Sequence, residues 1–152
     1  TGQAVGLSLE SPTIKCEHTS TKKTPGGSGN VVMNLVALQR DVGYMTICSD
    51  IDVYNDLAQK VNVYSISTNK QTSSKQRYYV EKTHVQHKYL QMNYTDDSNL
   101  STDTEQEVIS QLTNILPEYE CVILSDYRCG VLSKNITTSI ICMTNRNHAS
   151  NP

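Results

Sequence analysis

Long apolar runs are missing from this sequence. None approaches the roughly 20 residues that a helix needs to cross a bilayer, and the polar N-terminus lacks the charged-then-apolar order of a signal peptide. The sequence therefore predicts no membrane segment, and we expect a soluble chain.

Charge of one sign is not in excess either. The formal net charge is -2 at pH 7, and the basic residues are scattered apart from Lys22 and Lys23. Such a surface has no broad attraction for a polyanion. Nucleic acid is therefore a poor choice of partner.

Paired metal-binding or redox motifs are absent as well. The five cysteines form an odd set without a CxxC pair, and several lie in apolar runs, where cysteine behaves as a small hydrophobic residue. The four histidines show no zinc-site spacing. We expect reduced thiols, a cytoplasmic protein and no metal ligands in the chain.

Phenylalanine and tryptophan do not occur, so nine tyrosines supply every aromatic ring. The hydrophobic content of 37% is low for a compact globule of 152 residues. An incomplete domain is therefore an alternative to a complete one.

Strand and helix patterns alternate through the first two thirds of the chain. Apolar periodicity predicts an edge strand at residues 6–17, strands at 44–48 and 61–67, a short helix at 53–60, and a hairpin of 73–81 with 85–93. The sequence thus indicates an α/β chain.

A glycine-rich segment, GGSGN, opens a predicted helix. Val31, Leu35 and Leu38 follow it at the spacing of one helical face. Because glycine lets a ligand approach the main chain, backbone N–H groups and the Asn30 amide are candidate contacts for a polar ligand. Considered alone, such a segment is more often just a turn.

A further helix is predicted from Thr102, with Glu105 completing a capping box. After it, the apolar run at residues 121–124 is typical of a buried strand in a parallel sheet. Asp126 follows that run, and ligands of open α/β sheets bind beyond the carboxyl ends of strands. Asp126 is thus a candidate ligand-binding residue, with capping of the next turn as its equally weighted alternative.

A last helix is expected after Ser133, whose hydroxyl can cap it. Further upstream, Lys75 and Arg77 occupy alternate positions of one strand and so share a face. Together they can bind a phosphate, although a solvated strand face is the commoner arrangement.

Three segments together resemble the ribokinase-like (PfkB) sugar kinases, and among them the heptose-phosphate kinases. The segments are TPGGSGNVVMNLVAL at 24–38, SSKQRYYV at 73–80 and VILSDYRCGVLS at 122–133, and SLESPTIKCE at 8–17 is similar to the family's lid strand. The resemblance extends over nearly all of the chain. Their combination is far more specific than any one motif.

The resemblance implies a partial three-layer α/β sandwich with a mostly parallel sheet and a small β lid. The lid would comprise residues 6–17 and 73–93, and the α/β core residues 24–67 and 101–148. It also implies that Gly26, Gly27 and Asn30 contact the sugar, that Lys75 and Arg77 lie near the sugar or its phosphate, and that Asp126 lies near the site of phosphoryl transfer.

The activity implied by the resemblance is ATP- and Mg²⁺-dependent phosphorylation of a sugar phosphate. The catalytic aspartate and the nucleotide-binding half have no counterpart in this sequence, so we expect no catalytic residue in the chain. Cys129 also stands where the family has lysine. Two alternatives remain: a noncatalytic sugar-binding or assembly module, and a homodimer formed through the lid strands.

Overall fold

The computed structural model describes residues 1–11, 13–49, 54–82 and 85–149. The chain forms two compact units. The sheet unit comprises Thr1–Thr24 and Ser74–Tyr94, and the helical unit comprises Pro25–Ser73 and Thr95–Pro152.

The sheet unit is a four-stranded mixed sheet of β1 (Gly2–Leu7), β2 (Ile14–His18), β5 (Ser74–Lys82) and β6 (Val85–Tyr94). The order of its strands is β2-β1-β5-β6. The single edge strand predicted at residues 6–17 is wrong, because the chain reverses there and β2 pairs antiparallel with β1. Pro12 lies outside the described residues.

The predicted hairpin is confirmed, since β5 and β6 pair antiparallel along their length. Tyr78 pairs with Leu90 and Gln76 pairs with Met92, so these side chains share one face of the sheet. Lys75 and Arg77 lie on the opposite face. Around these pairs, the hairpin has an apolar patch on one face and polar side chains on the other.

The helical unit contains a two-stranded parallel sheet, and the chain is α/β, as predicted. Its elements are α1 (Ser28–Ala37), β3 (Gly43–Cys48), α2 (Asn55–Ala58), β4 (Asn62–Ser67), α3 (Thr102–Ile115), a 3-10 turn (Leu116–Glu118) and α4 (Lys134–Ala149). Each residue from Gly43 to Cys48 has a partner in β4. The parallel sheet is thus smaller than predicted, and the larger sheet is mixed.

Helices pack on both faces of the β3–β4 sheet. On one face, Ile66 packs with Val108 and Leu112 of α3 and with Ile136 and Ile140 of α4. This face holds the larger of the two apolar clusters.

On the other face, Tyr44 packs with Val32 of α1 and Leu57 of α2. Alternate strand residues point to opposite faces, so the short sheet separates two apolar clusters. This is a three-layer arrangement within one unit.

The buried face of α1 differs from the predicted one. Val32 is buried and Leu35 packs beside it, whereas Leu38 follows the helix and is 68% exposed. α1 has more apolar residues than one helical face can hold. Periodicity alone therefore does not predict which of them pack against β3.

Ser101 begins α3, because its hydroxyl accepts a hydrogen bond from the N–H of Thr104 at 3.2 Å. The predicted capping box of Thr102 and Glu105 is therefore wrong by one residue. Glu105 instead accepts a hydrogen bond from the Asn135 side chain at 3.0 Å. The predicted cap of α4 is confirmed, since Ser133 accepts from the N–H of Ile136 at 3.3 Å.

The strand predicted at residues 121–124 is not formed. This segment carries no strand assignment, and Ile123 and Leu124 are 56% and 41% exposed, while Val122 alone of the segment packs against the larger cluster. An apolar run indicates burial, but a strand also needs a neighbouring backbone to pair with. None of the described residues pairs with this segment.

None of the five cysteines, all of which lie among the described residues, forms a disulfide. Among the described residues, no helix combines the length and the apolar character needed to cross a membrane.

Candidate functional site

The glycine bend, residues 26–30, forms the N-terminus of α1. Gly27 precedes the helix with φ 51° and ψ −126°, a backbone conformation that favours glycine. The N–H of Gly29 donates to the Gly26 carbonyl at 2.9 Å, and the N–H of Asn30 donates to the Gly27 carbonyl at 3.1 Å. These two N–H groups are thus used within the bend, and Asn30 is exposed in the first helical turn.

Ser28 attaches this bend to the sheet. Its hydroxyl lies 2.8 Å from that of Tyr44, which is buried on β3. The Tyr44 ring meets the Tyr54 ring edge-on at a centroid distance of 5.8 Å, and burial raises the pKa of Tyr54 to about 12. The bend thus rests on a neutral, hydroxyl-bearing aromatic pair.

The acidic turn, residues 125–130, contains the other candidate residue of this unit. The Asp126 carboxylate accepts a hydrogen bond from the N–H of Arg128 at 2.7 Å. Arg128 has φ 57° and Gly130 has φ 68°. An aspartate that bonds the main chain two residues on is a common turn device. The equally weighted capping role of Asp126 is therefore present in the structure.

The glycine bend and the acidic turn meet through Tyr127. A Cβ atom placed on Gly27 would lie 3.5 Å from Cδ2 and 3.6 Å from Cε2 of the Tyr127 ring. The ring therefore packs directly against the backbone of Gly27. The structure brings Gly26, Gly27 and the first turn of α1 to the turn that carries Asp126.

Lys75 and Arg77 lie in the sheet unit, where both are exposed on one face of β5. Their register partners on β6 are Asn93 and Gln91. The shared face agrees with the predicted alternation. A phosphate-binding role for the pair remains a prediction.

Three side chains near the bend were not singled out from the sequence as site residues: Ser28, Tyr44 and Tyr127. Their contacts join residues 16 and 100 positions apart along the chain. Such contacts follow from tertiary packing and leave no local signal. For Tyr127, the available indication was its place in the segment VILSDYRCGVLS at 122–133, on which the resemblance rests.

Cys129 is half-buried in the acidic turn. Its thiol donates to the Tyr127 carbonyl at 3.5 Å and accepts from the Ser73 hydroxyl at 3.5 Å. A thiol in these contacts does not supply the positive charge of the lysine expected there. Cys129, standing where lysine is expected, therefore leaves the acidic turn without the positive charge of that lysine.

A groove of about 580 Å³ lies between α3 and α4. Glu105 lies in it, and hydrogen bonds from Ser133 and then Asn135 lower the pKa of that carboxyl. None of the predicted site residues lines this groove. In the described part of the chain, no three His, Cys, Asp or Glu side chains are grouped so that they could hold a metal ion.

The two meeting turns and the short parallel sheet define an α/β protein with a candidate small-molecule site at a helix N-terminus. Over nearly its whole length, the chain is similar to part of the bifunctional protein HldE. It is 29% identical to that of Aliarcobacter butzleri over an alignment of 153 positions, which covers 96% of the chain and 31% of the relative. It is 31% identical to that of Campylobacter fetus over 146 residues, and this match covers 95% of the chain and 32% of the relative.

The match to the bifunctional protein HldE of Nitratiruptor is 26% identical and covers 92% of the chain and 30% of the relative. No model of a protein family matches the chain. The chain is a homologue of the bifunctional HldE proteins and spans about a third of the length of these curated relatives.

Proposed function

We propose that this chain is the sugar-binding part of a ribokinase-like sugar-phosphate kinase of the heptose 7-phosphate type. The observation that carries the proposal is the packing of Tyr127 on Gly27, which joins the glycine bend to the acidic turn. The similarity to the bifunctional HldE proteins supports the same assignment.

Each candidate residue has a chemical role in this proposal. The missing side chains of Gly26 and Gly27 let a sugar approach the main chain, and the Asn30 amide and Asp126 carboxylate bind its hydroxyl groups. Lys75 and Arg77 of the sheet unit are proposed to bind a phosphate group, since paired cations on one face suit a phosphate. ATP with Mg²⁺ supplies the transferred phosphoryl group when bound.

These residues bind and orient the sugar, but none of them is proposed as the catalytic base. Orientation lowers a reaction barrier only when the reacting groups are also present. The isolated chain is therefore expected to bind heptose 7-phosphate without consuming ATP. The proposed location of the reaction is the cytoplasm, where it would serve synthesis of a lipopolysaccharide precursor.

Calorimetric titration of the isolated chain with heptose 7-phosphate, without ATP, tests the proposal. We expect saturable binding that Asn30→Ala and Asp126→Asn each weaken by about tenfold, as expected for a lost hydrogen bond to a sugar hydroxyl. Glu107→Gln, an exposed change on α3, is the matched control and should bind normally. Absence of binding by the wild-type chain would overturn the proposal.

A noncatalytic sugar-binding module is the second candidate function, and the Cys129 contacts favour it because a thiol replaces the expected cation. An ATP-consumption assay on the natural polypeptide that contains this chain distinguishes the two. Sugar-dependent turnover supports the kinase. Sugar binding without turnover supports the module.

A second copy of this chain is the proposed partner of the sheet unit. Tyr78, Leu90 and Met92 share one face and are 46%, 52% and 40% exposed, and an exposed apolar sheet face is suited to association. Leu90→Lys should shift sedimentation from dimer to monomer. Gln91→Lys, on the opposite face, should leave a dimer; a wild-type monomer at every concentration contradicts the proposal.

A further inference from the structure

The Tyr127 side chain is 58% exposed although its ring packs against Gly27. Three ring atoms lie 3.5 to 3.7 Å from the position of a Cβ on Gly27. We infer that the Tyr127 ring is a platform on which the apolar C–H face of the bound sugar packs. This inference rests on the proposed function and adds a contact residue to it.

The backbone that carries the ring is held on both sides. Asp126 bonds the N–H of Arg128 on one side of the turn at 2.7 Å, and the Cys129 thiol bonds the Tyr127 carbonyl at 3.5 Å. A Cβ on Gly130 would lie 2.3 Å from the Ser98 carbonyl oxygen, so the backbone at Ser98 packs closely against the acidic turn. Because the turn is already ordered, binding a ligand on the ring costs little conformational entropy.

The chemistry beside the ring selects a sugar over a purely apolar ligand. Aromatic faces carry negative quadrupolar charge and attract the weakly positive C–H groups of a sugar ring. The contact with Gly27 places the glycine bend, with the exposed Asn30, beside the Tyr127 ring. Asp126 directly precedes Tyr127 in the chain. A ligand with one C–H face and a rim of hydroxyl groups satisfies both kinds of surface.

A purine base would also stack on an exposed tyrosine ring. The base of ATP is therefore the competing occupant, and the experiment includes it. The Asn30 amide and the Asp126 carboxylate can also pair with the amino group and ring nitrogens of adenine, so the titration below compares the two ligands directly.

The chain has no tryptophan, which allows a specific optical test. In Tyr127→Trp, the indole is the only one in the protein and replaces the proposed platform. Titration with heptose 7-phosphate should change its emission with the same Kd that calorimetry gives for this variant. Leu38→Trp is the matched control. Leu38 is 68% exposed and lies just beyond the C-terminal end of α1, about 15 Å from the glycine bend.

Two substitutions then separate the contribution of the aromatic ring to sugar binding from the contributions of the hydroxyl group and of side-chain volume. Tyr127→Phe should keep the Kd for heptose 7-phosphate within about twofold, and Tyr127→Leu should raise it by about three- to tenfold. Leucine retains apolar contact with Gly27, so thermal unfolding of this variant should remain near that of the wild type. A loss of affinity at unchanged stability supports a ligand contact.

Two results would overturn the platform alone: unchanged affinity in Tyr127→Leu while the wild type binds sugar, or an emission change with ATP but none with heptose 7-phosphate. Failure of the wild-type chain to bind heptose 7-phosphate in calorimetry would overturn the proposed function as well. The three outcomes are distinct.

Discussion

Lys70 and Asp96 join the segment after β4 to the segment before α3. The Lys70 ammonium lies 3.2 Å from the Asp96 carboxylate and also donates to the carbonyls of Asp96 at 2.6 Å and Ser98 at 2.7 Å. The Lys70 side chain is only 10% exposed. The same loop packs against Gly130, so this ion pair supports the acidic turn that carries Asp126.

The Asp96 carboxylate should make the stability of the chain depend on pH in acid. The Ser98 hydroxyl and N–H, followed by Lys70, hold the pKa of this carboxyl well below its usual range. The ionised Asp96 carboxylate therefore contributes fully to the free energy of unfolding above the unfolded-state pKa of about 4. This stabilisation is lost as the pH falls toward the pKa of the carboxyl in the folded chain. Urea unfolding across this acid range should show a shallower loss of stability for Asp96→Asn than for the wild type.

Glu107→Gln is the control for that experiment and should follow the wild-type acid dependence. If Asp96→Asn lost stability in acid as steeply as the wild type, the assigned role of Asp96 would be wrong.

Tyr64 should titrate late because its hydroxyl lies 3.2 Å from that of Tyr119. This hydrogen bond, with some burial, raises the pKa of Tyr64 to about 12. The neutral phenol therefore stabilises the fold below about pH 10, and that contribution is lost as the pH rises toward about 12. In Tyr119→Phe, the NMR ring-carbon shift of Tyr64 should titrate closer to an ordinary tyrosine; an unchanged midpoint would contradict this.

Gly43 has no room for a side chain beside Tyr119. A Cβ at Gly43 would lie 2.3 Å from the Tyr119 hydroxyl oxygen and 2.4 Å from its Cζ. Gly43→Ala should therefore lower the free energy of unfolding by about 1–3 kcal/mol, as in other overpacked sites. The cost should largely vanish in a Tyr119→Ala background, as measured by urea unfolding, whereas simple additivity of the two changes would argue against the contact.

Ile66 should contribute strongly to stability because it is 1% exposed at the centre of the larger apolar cluster. Ile66→Ala should lower the free energy of unfolding by about 2–5 kcal/mol through lost burial and the cavity left behind. Leu38→Ala, at a site 68% exposed, should change it by less than about 0.5 kcal/mol. Equal effects of the two changes in urea unfolding would contradict the assignment of the core.

Local patterns predicted most of the elements. The glycine bend followed by α1, the hairpin of β5 and β6, and the cap of α4 by Ser133 all follow from signals within a few residues. Residues 6–17 predict one extended strand, and the antiparallel pairing of β2 with β1 is a contact between two strands that this local pattern does not contain.

The segment at residues 121–124 shows the limit of such patterns. Its apolar character predicted burial and pairing together, but only Val122 packs against the larger cluster. Pairing depends on a second backbone at the correct spacing, and a sequence window contains only one.

By itself, the sequence determined the α/β class, the glycine bend and the presence of an acidic turn, because glycine conformations and apolar periodicity are local properties. Tertiary structure alone decided that the Tyr127 ring rests on Gly27 and that Tyr44 holds Ser28. These contacts join distant parts of the chain, and their existence depends on how helices pack against a sheet, which no local pattern encodes.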